Sequence, residues 1–126
     1  MYSIVVRAHA MIAHSLPGEF FGRAQNLHGA TFVIDAEFET EALDPHNVVI
    51  DIGLATEVLN GAAARINYRN LDEHEALGGA ITTAEFLARY LHDEIRAELG
   101  SRFRGRLAVT LHESHLASAR YRGALS

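Results

Sequence analysis

ATFVIDAEFET, residues 30–40, alternates along its length: Phe32, Ile34, Ala36 and Phe38 fall on one side, Val33, Asp35, Glu37 and Glu39 on the other. A period of two with one apolar and one largely charged side describes a strand with one face on a core and one in water, the habit of antiparallel sheets. Upstream, YSIVVRAHAMI (residues 2–12) is rich in β-branched residues and reads as another strand. Between them, the segment from Ser15 to Leu27 carries Pro17, Gly18 and Gly22 and reads as a loop. LDPHN (43–47) is a turn, and VVIDI (48–52) a short extended piece.

Beyond Gly53 the period changes. Leu54, Val58, Ala62 and Ile66 recur every four residues, which predicts a helix with one apolar stripe. After a loop over 67–80, Thr82 followed by Glu85 has the spacing of a capping box, in which hydroxyl and carboxylate satisfy free N–H groups at a helix start. Leu87, Leu91, Ile95 and Leu99, with Phe86 and Tyr90 beside them, give this second helix its buried face, and Gly100 ends it. LAVTLHE (107–113) and ASARYRG (117–123) read as the last two strands. Strands grouped apart from helices, in the order ββααββ, predict an α+β sandwich: a four-stranded antiparallel sheet with two helices on one face.

Composition narrows the function classes. The length of 126 residues suits a single domain, residues 1–126. A net charge of -5 argues against nucleic acid as the main partner, because phosphate binding wants a basic face. The chain has no cysteine, which removes disulfides, thiolate metal ligands and a cysteine nucleophile together. All eleven basic side chains are arginine, so a lysine Schiff base is also excluded. No apolar run is long enough to span a membrane, and Arg7 interrupts the apolar N-terminus, so no membrane partner is expected and cytoplasm is the default location.

The order of elements and six local strings resemble the 6-pyruvoyl-tetrahydropterin synthase and 6-carboxy-tetrahydropterin synthase family, of the tunnelling fold. Met11-Ile12-Ala13-His14 is similar to the F-x-A-A-H that ends the family's first strand. Ala24 to Phe32 follows C-x-x-L-H-G-H-x-[FY], and Val48 to Ile52 resembles G-[MI]-V-x-D-[FL]. Leu71-Asp72-Glu73-His74 and Thr82-Thr83-Ala84-Glu85 look like the family's L-D-H and P-T-[AS]-E, while Glu113-Ser114 with Ala119 and Tyr121 looks like its E-T-x-x-x-x-A-x-Y.

The resemblance implies site residues. His14 and His28 match two of the family's three zinc ligands, but Ala30 stands at the third. The catalytic cysteine falls on Ala24, and the Asp-His pair is matched by Asp72 and His74 with Glu73 inserted. His9, Glu19, His112 and His115 are the residues from which a replacement ligand would be borrowed. Glu113 matches the carboxylate that accepts hydrogen bonds from the pterin ring, and Thr83 lies beside that site; two side-by-side acceptors complement an amidine-like N–H pair. The structural alternative for Glu113 is pairing with an arginine on the sheet. Asp51 is expected to hold a turn or helix start.

The resemblance also implies that three subunits close their sheets into a β-barrel, that two trimers stack into a homo-hexamer, and that the pocket lies between subunits. Three functions stay open. One is a divergent synthase-like protein that binds a pterin- or purine-like heterocycle without running the standard reaction. Another is a zinc-dependent carbon–oxygen or carbon–carbon lyase with a rearranged metal site. The third is a non-catalytic, partner-binding oligomer.

Overall fold

The computed structural model describes residues 1–125. Two long strands, β1 (Tyr2–His14) and β2 (His28–Thr40), pair antiparallel in unbroken register from Tyr2 against Thr40 to His14 against His28. Helix α1 (Ile52–Ala64) follows, then a two-residue strand β3 (Arg69–Asn70), helix α2 (Ala84–Leu99), β4 (Gly105–His112) and β5 (Ser118–Leu125). The sheet order is β3-β1-β2-β4-β5. The expected α+β class and ββααββ order are therefore present, with one addition: β3 joins β1 in parallel at Ile12 and Ala13, making five strands.

Alternation along the strands builds the two layers. Phe32, Ile34, Ala36 and Phe38 of β2 lie buried with Ala8, Ala10 and Ile12 of β1 and Leu107, Val109 and Leu111 of β4. Helix α1 covers β1 and α2 covers β4 and β5. The contact face of α1 is small (Ala55, Val58, Leu59, Ala62, Ala63), as are the alanines of β1 beneath it, whereas α2 contributes Leu87, Leu91, Ile95 and Leu99. Phe103 packs edge-on against Phe38 with ring centroids 5.4 Å apart. Gly105 makes that approach possible: a Cβ there would lie 2.4 Å from the Glu39 carbonyl oxygen and 2.8 Å from the Phe103 ring.

The other face of the sheet carries no helix and is laced with charge. Arg7 holds Asp35 with two nitrogens, at 2.6 and 2.9 Å, and His112 Nε2 lies 2.9 Å from the same carboxylate. Arg120 reaches Glu37 at 2.6 Å, and Arg122 lies 3.0 Å from Glu39, within ion-pair range but off hydrogen-bond angle. Both arginines start on β5 and cross β4 to reach β2, passing over the short side chains of Ala108 and Thr110.

Three local expectations are corrected. The extended piece 48–52 forms no strand, because Asp51 caps α1: its Oδ2 accepts from the Leu54 N–H at 2.9 Å. The capping box is absent, since Thr83, not Thr82, is the N-cap of α2, accepting from Phe86 N–H at 3.2 Å. The loops over 15–27 and 67–80 contain short 3-10 turns rather than irregular chain.

Candidate functional site

The paired ends of β1 and β2 bring His14 and His28 face to edge, ring centroids 4.6 Å apart. His14 is buried, and its Nδ1 points at the Thr82 carbonyl (3.0 Å) and hydroxyl (3.1 Å). His28 Nδ1 points at the Asn26 carbonyl, 2.8 Å away. A carbonyl only accepts, so each Nδ1 carries the proton and each Nε2 keeps its lone pair. Neither Nε2 has a hydrogen-bond partner among the described residues. This arrangement, with the far nitrogen tied to backbone, is how metal-ligating and proton-accepting histidines are oriented.

Asp72 closes one side of the pair. Its carboxylate accepts from the Ser15 N–H (3.0 Å) and hydroxyl (2.5 Å), and the Ser15 hydroxyl is the main reason its pKa is held below the usual carboxylate range. Burial, followed by the neighbouring His28, pushes the His14 imidazole below the usual histidine range; Thr82 and Asp72 partly oppose that. His14 therefore stays neutral at neutral pH.

Asp72 and His74 do not meet. His74 is buried, its Nε2 donates to the Arg65 carbonyl at 2.8 Å, and its Nδ1 has no partner among the described residues. Leu71 and Leu77 are buried on either side of it, so a three-residue period over consecutive 3-10 turns turns all three inward and leaves Asp72 outside. Glu113 is exposed in the turn between β4 and β5, where its backbone N–H donates to the Ala117 carbonyl. Its carboxylate has no ion pair among the described residues, so the arginine-paired alternative does not hold. Thr83 spends its hydroxyl capping α2.

Of the residues offered as a replacement metal ligand, His9 lies on the opposite face of β1 from His14, and His112 is bound to Asp35. Glu19 and His115 are exposed in turns. Thr82 and Ser15 are the site residues the sequence reading missed. The Thr82-Thr83 doublet held the signal, because only one of two adjacent threonines can cap the helix.

The sequence profile described as 6-pyruvoyl tetrahydropterin synthase matches residues 3–124. The chain belongs to the 6-pyruvoyl tetrahydropterin synthase family. Solved structures with the same fold include the 6-pyruvoyl tetrahydropterin synthase of Caenorhabditis elegans, 22% identical over 97% of this chain and 95% of that one, with a TM-score of 0.85. The Plasmodium falciparum synthase is 14% identical over 98% of both chains, TM-score 0.78. An uncharacterized Wolinella succinogenes protein is 12% identical over 99% of this chain and 98% of that one, TM-score 0.66. No curated protein matches.

Membership of the 6-pyruvoyl tetrahydropterin synthase family raises the question of zinc. A catalytic zinc takes three protein ligands and keeps one position open. His14 and His28 are oriented to supply two. The third place falls on Ala30, which pairs with Ile12 two residues along β2 from His28. Among the described residues no group of three or more His, Cys, Asp or Glu side chains gathers. The residues present do not fit the three-ligand centre.

Proposed function

We propose that this member of the family binds a pterin- or purine-like heterocycle through Glu113 and does not run the family's standard synthase reaction. The observation that carries this reading is the free carboxylate of Glu113 at the end of β4, the same end of the sheet at which His14 and His28 stand. A carboxylate with both oxygens unspent offers two parallel acceptors to an N–H pair. His14, His28 and Asp72 then face the ligand's substituents, with two Nε2 lone pairs available to take or relay protons. The chain has no cysteine to serve as a proton-moving thiolate. Thr83 acts here through the helix start it caps.

The edge of β5, and that of β1 outside its two-residue pairing with β3, support assembly into a closed barrel, since an unpaired strand edge invites another strand. We take the homo-hexamer, a pocket between subunits and a cytoplasmic location as parts of the same reading. Among the described residues no helix is long and apolar enough to cross a membrane. The lyase alternative needs a third zinc ligand that the described residues do not provide.

Titration of pterin, followed by its own fluorescence, tests the proposal. Saturable binding that weakens at least tenfold in Glu113→Gln supports it. Equal affinity in that variant removes Glu113 as the anchor and favours the partner-binding alternative. Turnover of dihydroneopterin triphosphate at an ordinary enzymatic rate would overturn the second half.

A further inference from the structure

At the end of the sheet opposite the histidine pair lies a cavity of about 420 Å³, between the end of β2, the 41–51 connection, the first turn of α1 and the segment leading into β4. Small-molecule sites are typically ~300–1,000 Å³. Leu43, Val49, Ile50, Leu54 and Phe103 give it apolar walls. Thr40 also lines it, with its hydroxyl oxygen buried away from the open space and without a hydrogen-bond partner among the described residues.

Two guanidinium groups flank the same space. Arg102 is fixed by donating to the Glu98 carbonyl at 2.7 Å and the Leu99 carbonyl at 3.3 Å, which orders its fork and leaves Nη1 unspent. Arg104 forms no ion pair among the described residues. Asp44 and Asp51 line the cavity too, each with one oxygen held by backbone N–H groups: Asp44 Oδ1 by His46 and Val48, Asp51 Oδ2 by Leu54. Two arginines favour an anion, and two aspartates at the same wall oppose a doubly charged one.

We propose that this cavity is a second ligand site that takes a small organic monocarboxylate. Its carboxylate lies between Arg102 and Arg104, and a compact apolar body rests on Val49, Ile50 and Leu54. The site is independent of Glu113 and the histidine pair, so it stands or falls apart from the heterocycle reading.

Benzoate, benzamide and phenyl phosphate, titrated into the full chain with labelled Ile, Leu and Val methyl groups, test it. Benzoate is expected to give saturable shifts at Val49, Ile50 and Leu54. Benzamide, the neutral counterpart, is expected to bind at least tenfold more weakly. Arg104→Ala weakens benzoate at least tenfold, while Arg23→Ala, an exposed arginine at the other end of the sheet, leaves it unchanged. Shifts that never saturate would leave ordered water as the occupant and overturn the proposal. Equal binding of benzamide, tighter binding of phenyl phosphate, or indifference to Arg104→Ala in a folded variant would each overturn it as well.

Discussion

Replacing Ala30 by histidine adds back the one imidazole that separates the site from a three-ligand centre. Ala30 lies two residues from His28 on the same face of β2, so its Cα sits roughly 6.6 Å from that of His28. His14 pairs directly with His28, and both rings already have Nδ1 tied to a carbonyl. A third Nε2 completes the triangle without rebuilding the other two ligands. Four-ligand structural zinc sites bind with an apparent ~10–16 kcal/mol, or about 2.5–4 kcal/mol per ligand. At 1.4 kcal/mol per tenfold, the variant should bind zinc roughly 100- to 1,000-fold more tightly than the parent. Competition with a chromophoric chelator reads that ratio, and elemental analysis gives the stoichiometry. At a free zinc concentration 100 times the dissociation constant, the stabilisation is about 2.7 kcal/mol, a rise in Tm of roughly 10 °C. Ala30→Leu controls for added bulk and should gain neither. A folded Ala30→His protein that binds zinc no better than the parent would refute the geometry: the two Nε2 atoms would then not converge on the third position.

Further outcomes follow from the same contacts. Thr83→Ala should cost about 1 kcal/mol in denaturant unfolding through loss of the α2 cap, whereas Glu85→Ala should stay within about 0.5 kcal/mol because no capping box exists. Gly105→Ala forces a Cβ against the Glu39 carbonyl, and should destabilise by about 3 kcal/mol or more, read as a fall in Tm or loss of soluble protein. The folded-state pKa of His14 lies below its unfolded value, so the unfolded chain binds more protons as acid is added. Stability should be level above about pH 7 and decline as pH falls below about 6.5, with a shallower slope in His14→Gln. Asp35 and Asp72, also depressed, act in a separate window: their contribution is present above about pH 4 and is lost at lower pH.

The elements with long, regular side-chain periods were legible in the sequence. The alternation of 30–40 placed Phe32, Ile34, Ala36 and Phe38 on the core, and the four-residue spacing from Leu87 to Leu99 set the buried face of α2. Strand β3 was not legible, because its pairing is made by backbone groups of two residues and leaves no side-chain pattern. It follows a left-handed Tyr68 (φ 59°), whose N–H donates to the Met11 carbonyl. In the site, the His14–His28 juxtaposition follows from strand register, which the matched alternation of the two strands fixes. The direction of His74 was not legible from its match to the Asp-His pair, because nearness to Asp72 in sequence says nothing about which way a side chain points. The inward spacing of Leu71, His74 and Leu77 was the better guide.

Arg120 and Arg122 have a consequence for how the sheet comes apart. An outermost strand ordinarily frays first, since only one neighbour holds it. Here its charged side chains are clasped two strands inward, to carboxylates on the central β2. Peeling β5 away strands Glu37 and Glu39 on the remaining sheet, so the edge and the centre share one opening event rather than two. Amide exchange along β5 would then track that of β2, and the small size of residues 108 and 110 becomes a condition on cooperativity, because a bulky side chain at either would block the path of the clasp.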